Sequence, residues 1–592
     1  MKKLVPLFAI LLVILMLILA TISQKQESAI MDEVAHIPAG YSYLTQKDMR
    51  LNPEHPPLLK DLSAIPLLFI KGIKFPDNLK SWKDEVNSQW DFGFNFLYNS
   101  NNDADKIIFT SRLPMLLLLI LLGFFIYRWT KELYGKLAAL MAVFLFAFSP
   151  TFIAHGRYVT TDVGAAFAFF IAAYFFIKWI KNSTEKNLIL AGIFFGIAQL
   201  IKFSLILLIP YFVILLLIWI YIKWRENKQC LFRLLIVNCL SLIVILIIGY
   251  ILVYPVYFFH TSNYPIQKQI SDTNFISSQF PFKPIHKALM WMVEKPILRP
   301  YAQYFLGLFM VFQRATGGNT TFFLGDVTNK GWKSYFPIVY TIKEPLALHV
   351  LTIIALLFLA WGGKKEIWKR LFKSFPDFLK RNFTEIAMLI FLAVYWGASI
   401  TSNLNIGVRH ILPTFPFVYI LIAGQIKRIF NHIHNKKVFV VCGSALGFLL
   451  FWYALSSLSI FPNYLTYFNE LVGGAKNGYI YVTDSNLDWG QDLKKLAKWV
   501  DEQNIQKIKV DYFGGATVNY YLKDKYEEWH AEYDPQKAKG SWLAVSATFL
   551  QQNRALPTKG FEKRTDYYLW LNQYQPITVI GNSIFVYYIP NK

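Results

Sequence analysis

The chain has 592 residues, 55% hydrophobic, 17% aromatic and only 16% charged, with 60 Lys and Arg against 37 Asp and Glu for a formal charge of +23. Soluble domains carry about 25% charged residues, so this depletion, with a mean hydropathy of +0.35, excludes an ordinary water-soluble globule and indicates a polytopic membrane protein. In a soluble protein such a charge would point to nucleic acid; here much of it lies in short loops between apolar runs, so no nucleic-acid partner is expected.

Leu4 to Ile22 is an apolar run of about 19 residues, long for a signal peptide and without a small-residue cleavage site, and reads as a first transmembrane helix. Comparable runs recur near 113–129, 137–152, 163–180, 188–203, 204–222, 234–254, 345–362, 384–401, 410–426 and 437–459, giving about eleven helices. Loop cations fall on one side: Lys2/Lys3, Arg128/Lys131/Lys136, Lys178/Lys181/Lys186, Lys223/Arg225/Lys228/Arg233, Lys364 to Arg381, and Lys427/Arg428/Lys436/Lys437. They predict a cytoplasmic N-terminus, and the Lys-, Ile- and Phe-rich composition points to a prokaryotic plasma (inner) membrane. The opposite, extracytoplasmic side then receives the 23–112 loop, the turn His155–Asp162, the 255–344 loop and everything after about 460. The stretch Pro56–Ile70 is apolar enough to lie along the membrane surface.

After Pro462 the composition changes. Tyr479–Thr483, Lys507–Phe513, Ser541–Ala547 and Ile577–Ile589 read as strands and Trp489–Gln503 as an amphipathic helix. The expected organisation is a 1–460 transmembrane module followed by a 461–592 extracytoplasmic α/β domain. Cys230, Cys239 and Cys442 are widely separated and offer no disulfide framework or zinc spacing.

Ionisable residues at the outer ends of spans are costly beside a bilayer and mark functional candidates. One group follows the first span: Asp32-Glu33, then Glu54-His55 with Lys60. Others are His155-Gly156-Arg157 to Asp162, Lys202 near the end of the fifth span, and Arg409-His410 at the start of the tenth. Singly, Arg157 and Asp162 serve equally as helix caps, and Lys202 as a snorkelling side chain. Topology brings all of them to one face. Carboxylates and cations at one membrane surface suit a lipid-linked phosphate donor and a hydroxyl acceptor: cations stabilise the departing phosphate, and a carboxylate takes the acceptor's proton. Asp32, at the membrane exit, is the best-placed base.

Asp32-Glu33 after the first span, His55-Pro56-Pro57-Leu58 with Lys60, and Arg157-Tyr158 to Asp162 resemble the dolichyl-phosphate-mannose protein mannosyltransferases and their bacterial relatives, which include the lipid A aminoarabinose transferase. These are C-type glycosyltransferases of family 39. Asn405-Ile406-Gly407-Val408-Arg409-His410-Ile411-Leu412-Pro413 and Asp484-Ser485-Asn486-Leu487-Asp488-Trp489-Gly490-Gln491-Asp492 are similar to segments of prokaryotic members. The resemblance implies a C-type glycosyltransferase fold and an inverting transfer of a hexosyl, mannosyl or pentosyl group from a polyprenyl-phosphate sugar. It places the base on Asp32, with Glu33 and Asp162 beside it, and the lipid phosphate on Arg157, with Lys202 and Arg409 as further cations. Glu54, His55 and Lys60 are expected as first-loop support. The acceptor is a glycan, a lipid or a protein; the absence of a convincing β-trefoil weakens the protein option.

No cofactor is required by the sequence, and a divalent cation is left open. In the Asp484–Asp492 stretch the acids, Asn486 and Gln491 beside Trp489 suit sugar or cation binding, while Asp488 or Asn486 equally suits a helix cap. A zinc site from His36, His55, Glu54 and His260 or His286 is not expected. The competing class is a transporter or lipid flippase, which would place its ionisable residues near the midplane and show two related halves.

Overall fold

The computed structural model describes residues 4–227, 230–362 and 375–591. Lys2, Lys3, Lys228 and part of the Lys364–Arg381 loop, all counted among the loop cations, lie outside them.

The apolar runs are helices: α1 (Val5–Gln24), α2 (Met31–Gln46) and α3 (Leu58–Ala64) in and after the first span, then α4 (Ala104–Tyr134), α5 (Lys136–Ala147), α6 (Asp162–Lys181), α7 (Glu185–Gln199), α8 (Leu208–Asn227) and α9 (Leu231–Thr261). Beyond an extramembrane helix α10 (Arg299–Gly317) come α11 (Tyr335–Lys343), α12 (Leu346–Gly362), α13 (Phe383–Thr401), α14 (Phe415–His432) and α15 (Lys436–Leu458). Among the described residues seven helices are long and apolar enough to cross a bilayer, or eight if the bent pair α11–α12 is one span. The count is lower than eleven because α5 and α7 are short, at 12 and 15 residues, and α14 gains charge at Lys427 and Arg428. Large apolar side chains on α1 (Leu7, Phe8, Leu11, Ile14, Ile18), α9 and α15 stand exposed, as a lipid-facing surface requires. The chain is a multi-pass membrane protein.

Lipid supplies little hydrophobic drive between spans, so close backbone approach matters. Gly192 and Gly196 on α7 face Ile248 and Gly249 on α9; a Cβ on Gly196 would stand 2.7 Å from the Gly249 carbonyl oxygen. The Ala- and Phe-rich helix α6 is almost wholly enclosed by its neighbours. The stretch after Pro56 forms α3 and a 3-10 turn (Ile65–Phe69) with Ile65, Leu68 and Phe69 exposed.

A five-stranded sheet follows the last span, in the order β4-β3-β5-β8-β7, with β3 (Ile508–Asp511) parallel to β4 (Tyr526–Glu528) and β5 (Ser541–Ser546), and β8 (Ile584–Ile589) antiparallel to β5 and to β7 (Thr578–Ile580). Gly581 and Asn582, both at positive φ, turn the β7–β8 hairpin. Helix α16 (Leu493–Glu502) buries Leu493, Leu496, Ala497 and Val500 against this sheet. Tyr479–Thr483, expected as a strand, is instead the end of a 3-10 turn (Ala475–Ile480) with one bridge from Val482 to Phe323. The helix expected from Trp489 begins at Leu493, because Gly490 has φ 97°. A small second sheet joins the two parts of the chain: β1 (Thr321–Phe323) and β2 (Asp326–Thr328) in the 255–344 loop pair with each other, and β2 pairs with β6 (Leu556–Pro557).

On β3, burial pushes the Asp511 carboxyl up to about 6 although the Tyr568 hydroxyl donates to it. The folded chain therefore holds this proton more tightly than the unfolded chain. Its contribution to stability is present below the unfolded value near 4 and is lost as pH rises through about 6. Thermal melts should show Tm falling between about pH 4 and about pH 7, and Asp511→Asn should flatten that part of the profile.

Candidate active site

The 23–112 loop returns to the bundle at Glu27–Asp32, and two buried ion pairs fix it there. Arg112 of α4 donates Nε to Glu33 Oε1 at 2.8 Å and Nη2 to Oε2 at 2.7 Å. Arg157 pairs with Glu27 in the same two-pronged way, at 2.9 and 2.6 Å. Both guanidinium groups lie over the Tyr158 ring, at 5.2 and 4.9 Å from its centroid. Glu33 also accepts from the Ile30 amide at 3.0 Å, closing the first turn of α2, and from the Val159 amide at 3.1 Å.

Asp32, one residue before Glu33, points the other way. Successive helix positions lie about 100° apart, so adjacent acids cannot share a partner. Asp32 faces a cavity of about 100 Å³ whose wall includes Glu54, His55, Asp162, Lys202, Arg314 and Arg409. Arg409 sits in a 3-10 turn (Val408–Thr414) that follows Gly407 at φ 109°. Its Nη1 reaches Asp32 at 2.8 Å and Asp162 at 3.3 Å. Lys202 occupies the extended break after α7 and donates to the other oxygen of Asp162 at 2.6 Å. Asp162, the first residue of α6, is 2% exposed at its side chain, whereas Asp32 keeps 25%. Burial opposes charge on Arg409, but the Asp32 and Asp162 carboxylates outweigh it and hold the guanidinium above its ordinary value.

Glu54 closes one side of the cavity and accepts from Arg314 of α10 at 3.3 Å. His36 and His55 stack edge to face at 5.1 Å, and burial pushes both imidazoles below their usual range, so they add polar surface without charge. Lys60 does not reach the cavity. Its ammonium donates to the Tyr43 hydroxyl, to the Asn52 carbonyl and side-chain oxygens, and to the His55 carbonyl, all within 2.9 Å. It therefore shapes the loop that carries Glu54 and His55.

Thus Asp32, Asp162, Lys202, Arg409, Glu54 and His55 converge, and Glu33, Arg157 and Lys60 do not. Arg157, expected at the lipid phosphate, lies away from the cavity: its side chain is fully buried and paired with Glu27. Glu33, expected beside Asp32, is likewise buried and paired with Arg112. Arg314 was missed, since an arginine near the end of an amphipathic loop helix carries no distinguishing spacing. Among the described residues no group of three or more His, Cys, Asp or Glu is arranged to hold a metal ion. His260 pairs with Asp61, and His286 contacts Ser277.

Residues 104–248, spanning α4 to most of α9, match the family model described as dolichyl-phosphate-mannose-protein mannosyltransferase. Two solved structures of ArnT from Cupriavidus metallidurans align with this chain over 98% of its length and 97% of theirs. The one bound to undecaprenyl phosphate is 13% identical with a TM-score of 0.41, and the apo one 12% identical with a TM-score of 0.31. No curated protein matches the chain.

Removing one partner of a buried ion pair leaves an uncompensated charge, at a cost of about 3–5 kcal/mol. Arg112→Ala and Glu27→Gln are each expected to lower Tm in detergent by several degrees. An unchanged melt for either would remove that pair from the framework.

Proposed function

We propose that this chain is a glycosyltransferase that moves a sugar from a polyprenyl-phosphate donor to an acceptor hydroxyl on the extracytoplasmic face of the plasma membrane, by a single inverting displacement. The observation that carries the reading is the pairing of a partly exposed carboxylate, Asp32, with the Arg409 guanidinium, which also reaches Asp162, itself shared with Lys202. A base and two cations in one cavity at the ends of membrane helices are what such a transfer needs.

In this reading the donor phosphate sits against Lys202 and Arg409, which take over the role first expected of Arg157. The acceptor oxygen attacks the anomeric carbon from the side opposite the phosphate and gives its proton to Asp32. The bond from the anomeric carbon to the phosphate oxygen breaks, and its electron pair stays on the phosphate, where the two cations offset the charge. Asp162 holds both cations in place. Glu54, on the Arg314 side of the cavity, faces the direction from which a water-borne acceptor arrives. The loop cations support a cytoplasmic N-terminus, which leaves the cavity and the C-terminal sheet outside. Clustering of the ionisable residues at one end of the bundle favours this reading over a transporter or flippase.

The test is incubation of the purified protein in lipid with polyprenyl-phosphate sugars, reading sugar release or transfer. Wild type should liberate polyprenyl phosphate, and Asp32→Asn should lose about 10²–10⁴-fold in turnover while still binding donor. Normal turnover by Asp32→Asn would remove it as base.

Lys202→Ala and Arg409→Ala should weaken binding of polyprenyl phosphate itself, whereas Arg157→Lys should leave the affinity of the folded fraction unchanged. The reverse pattern would return the phosphate to Arg157. A cysteine-accessibility scan should label position 500 from outside; labelling from the cytoplasm would overturn the orientation.

A further inference from the structure

The stretch Asp484–Asp492 lies far along the chain from every residue of the transfer chemistry, yet it packs directly behind them. The Trp489 ring, 1% exposed, stacks under the Arg409 guanidinium at 4.1 Å and is flanked by His155 and Tyr158 at 5.9 and 6.0 Å. The Ser485 hydroxyl accepts from Arg409 Nε at 3.1 Å and donates to the Ile406 carbonyl. Asn486 Oδ1 takes the Val408 amide at 2.9 Å, and the Asn486 carbonyl takes the Lys343 ammonium at 2.6 Å. Gly407 fits only because it lacks a side chain: a Cβ there would lie 2.6 Å from Ser485 Oγ.

The same stretch also holds the other partner. The Trp489 carbonyl accepts the Met31 amide at 3.0 Å, immediately before Asp32, and the Gly490 carbonyl accepts the Ser28 hydroxyl at 2.7 Å. The Ser28 amide in turn donates to the Gln491 carbonyl at 3.0 Å. The stretch is itself anchored to the sheet. Asp488 accepts from the Thr548 amide at 2.8 Å, and Asp492 accepts from the Ser583 hydroxyl at 2.7 Å beside Gly581, where a Cβ would strike its carboxyl group. Asp488 and Asp492 thus each have a protein partner, although Asp488 Oδ1 is buried without one, and Asp492 makes no side-chain cap to α16.

We propose that Asp484–Asp492 is a fixed support behind the catalytic cavity, in which Trp489 and Ser485 are positioning residues that aim the Arg409 guanidinium at Asp32 and Asp162. This rests on the proposed transfer reaction and adds that the C-terminal region sets the geometry of the active site. A flat guanidinium stacked on an indole keeps its in-plane N–H groups free for carboxylates, and the Ser485 oxygen occupies Nε, so Nη1 is left to bridge Asp32 and Asp162. Without the ring, Arg409 gains rotamers that no longer bridge them, and misplacement of about 1 Å costs on the order of 10²-fold in rate.

The experiment compares Trp489→Leu, Trp489→Phe, Ser485→Ala and Arg409→Lys with wild type and with Trp489→Leu combined with Arg409→Lys, reading donor turnover, donor KM and Tm. Trp489→Leu is expected to lose about 10- to 100-fold in kcat with little change in KM. Trp489→Phe, which keeps an aromatic face, should recover most of that loss, and Ser485→Ala should lose several-fold in kcat with an unchanged melt. In the Arg409→Lys background, Trp489→Leu should cost almost nothing further, which a merely structural tryptophan would not show. Independent losses that multiply, or full kcat in Trp489→Leu and Ser485→Ala, would overturn the proposal. If wild type consumes no donor, the transfer reading fails, and the positioning is read from Tm in the same double-mutant cycle: strong non-additivity between Trp489 and Arg409 supports the contact, and additivity overturns it.

Discussion

The rest of the site depends on two buried ion pairs, Arg112 with Glu33 and Arg157 with Glu27, closed around Tyr158. Burying four charges is expensive, and such pairs persist only where geometry and further hydrogen bonds satisfy the remaining donors and acceptors. Here they do: Arg112 also donates to the Ser28 carbonyl, Arg157 to the Ile153 carbonyl, and Glu33 accepts two backbone amides. The result pins the start of α2 to α4 and to the turn before α6, three pieces of chain with no covalent reason to meet. Asp32 is held in place by its neighbours' commitments and keeps its own carboxylate available.

Around that frame, charge is arranged in a graded way. The framework pairs are dry and bidentate, suited to rigidity. The cavity pairs are shared: Arg409 divides itself between two carboxylates, and Asp162 between two cations. A shared partner can be given up to an incoming phosphate or hydroxyl without leaving a bare buried charge, which a closed pair cannot do. The neutral imidazoles of His36 and His55 complete the lining without competing for the anion.

The extramembrane parts are coupled to this frame rather than appended to it. The β2–β6 pairing ties the 255–344 loop to the C-terminal sheet, and the Met31–Trp489 hydrogen bond ties that sheet to α2. Residues of the bundle and of the C-terminal region share one continuous apolar core, which includes Ile30, Phe152, Trp489 and Leu543.

What the sequence by itself determined is whatever depends on local composition. Runs of apolar residues long enough for a bilayer must satisfy their backbone internally, so they are helices wherever they were expected, and charges at their ends are conspicuous because they are costly there. That was enough to single out Asp32, Asp162, Lys202 and Arg409, which the fold gathers around one cavity, and the match over 104–248 agrees with the family the motifs resemble. Only the tertiary structure decided which charges are partners. Asp32 and Glu33 are neighbours in sequence but a third of a helical turn apart, so one faces the cavity and the other Arg112. Arg157 and Arg409 are equally plausible phosphate ligands on paper, and Glu27, unremarkable in sequence, consumes the first. The work of Asp484–Asp492 was illegible for the same reason: an indole beneath a guanidinium and a carbonyl beneath an amide leave no mark in spacing, because the packing of the two ends of the chain creates them.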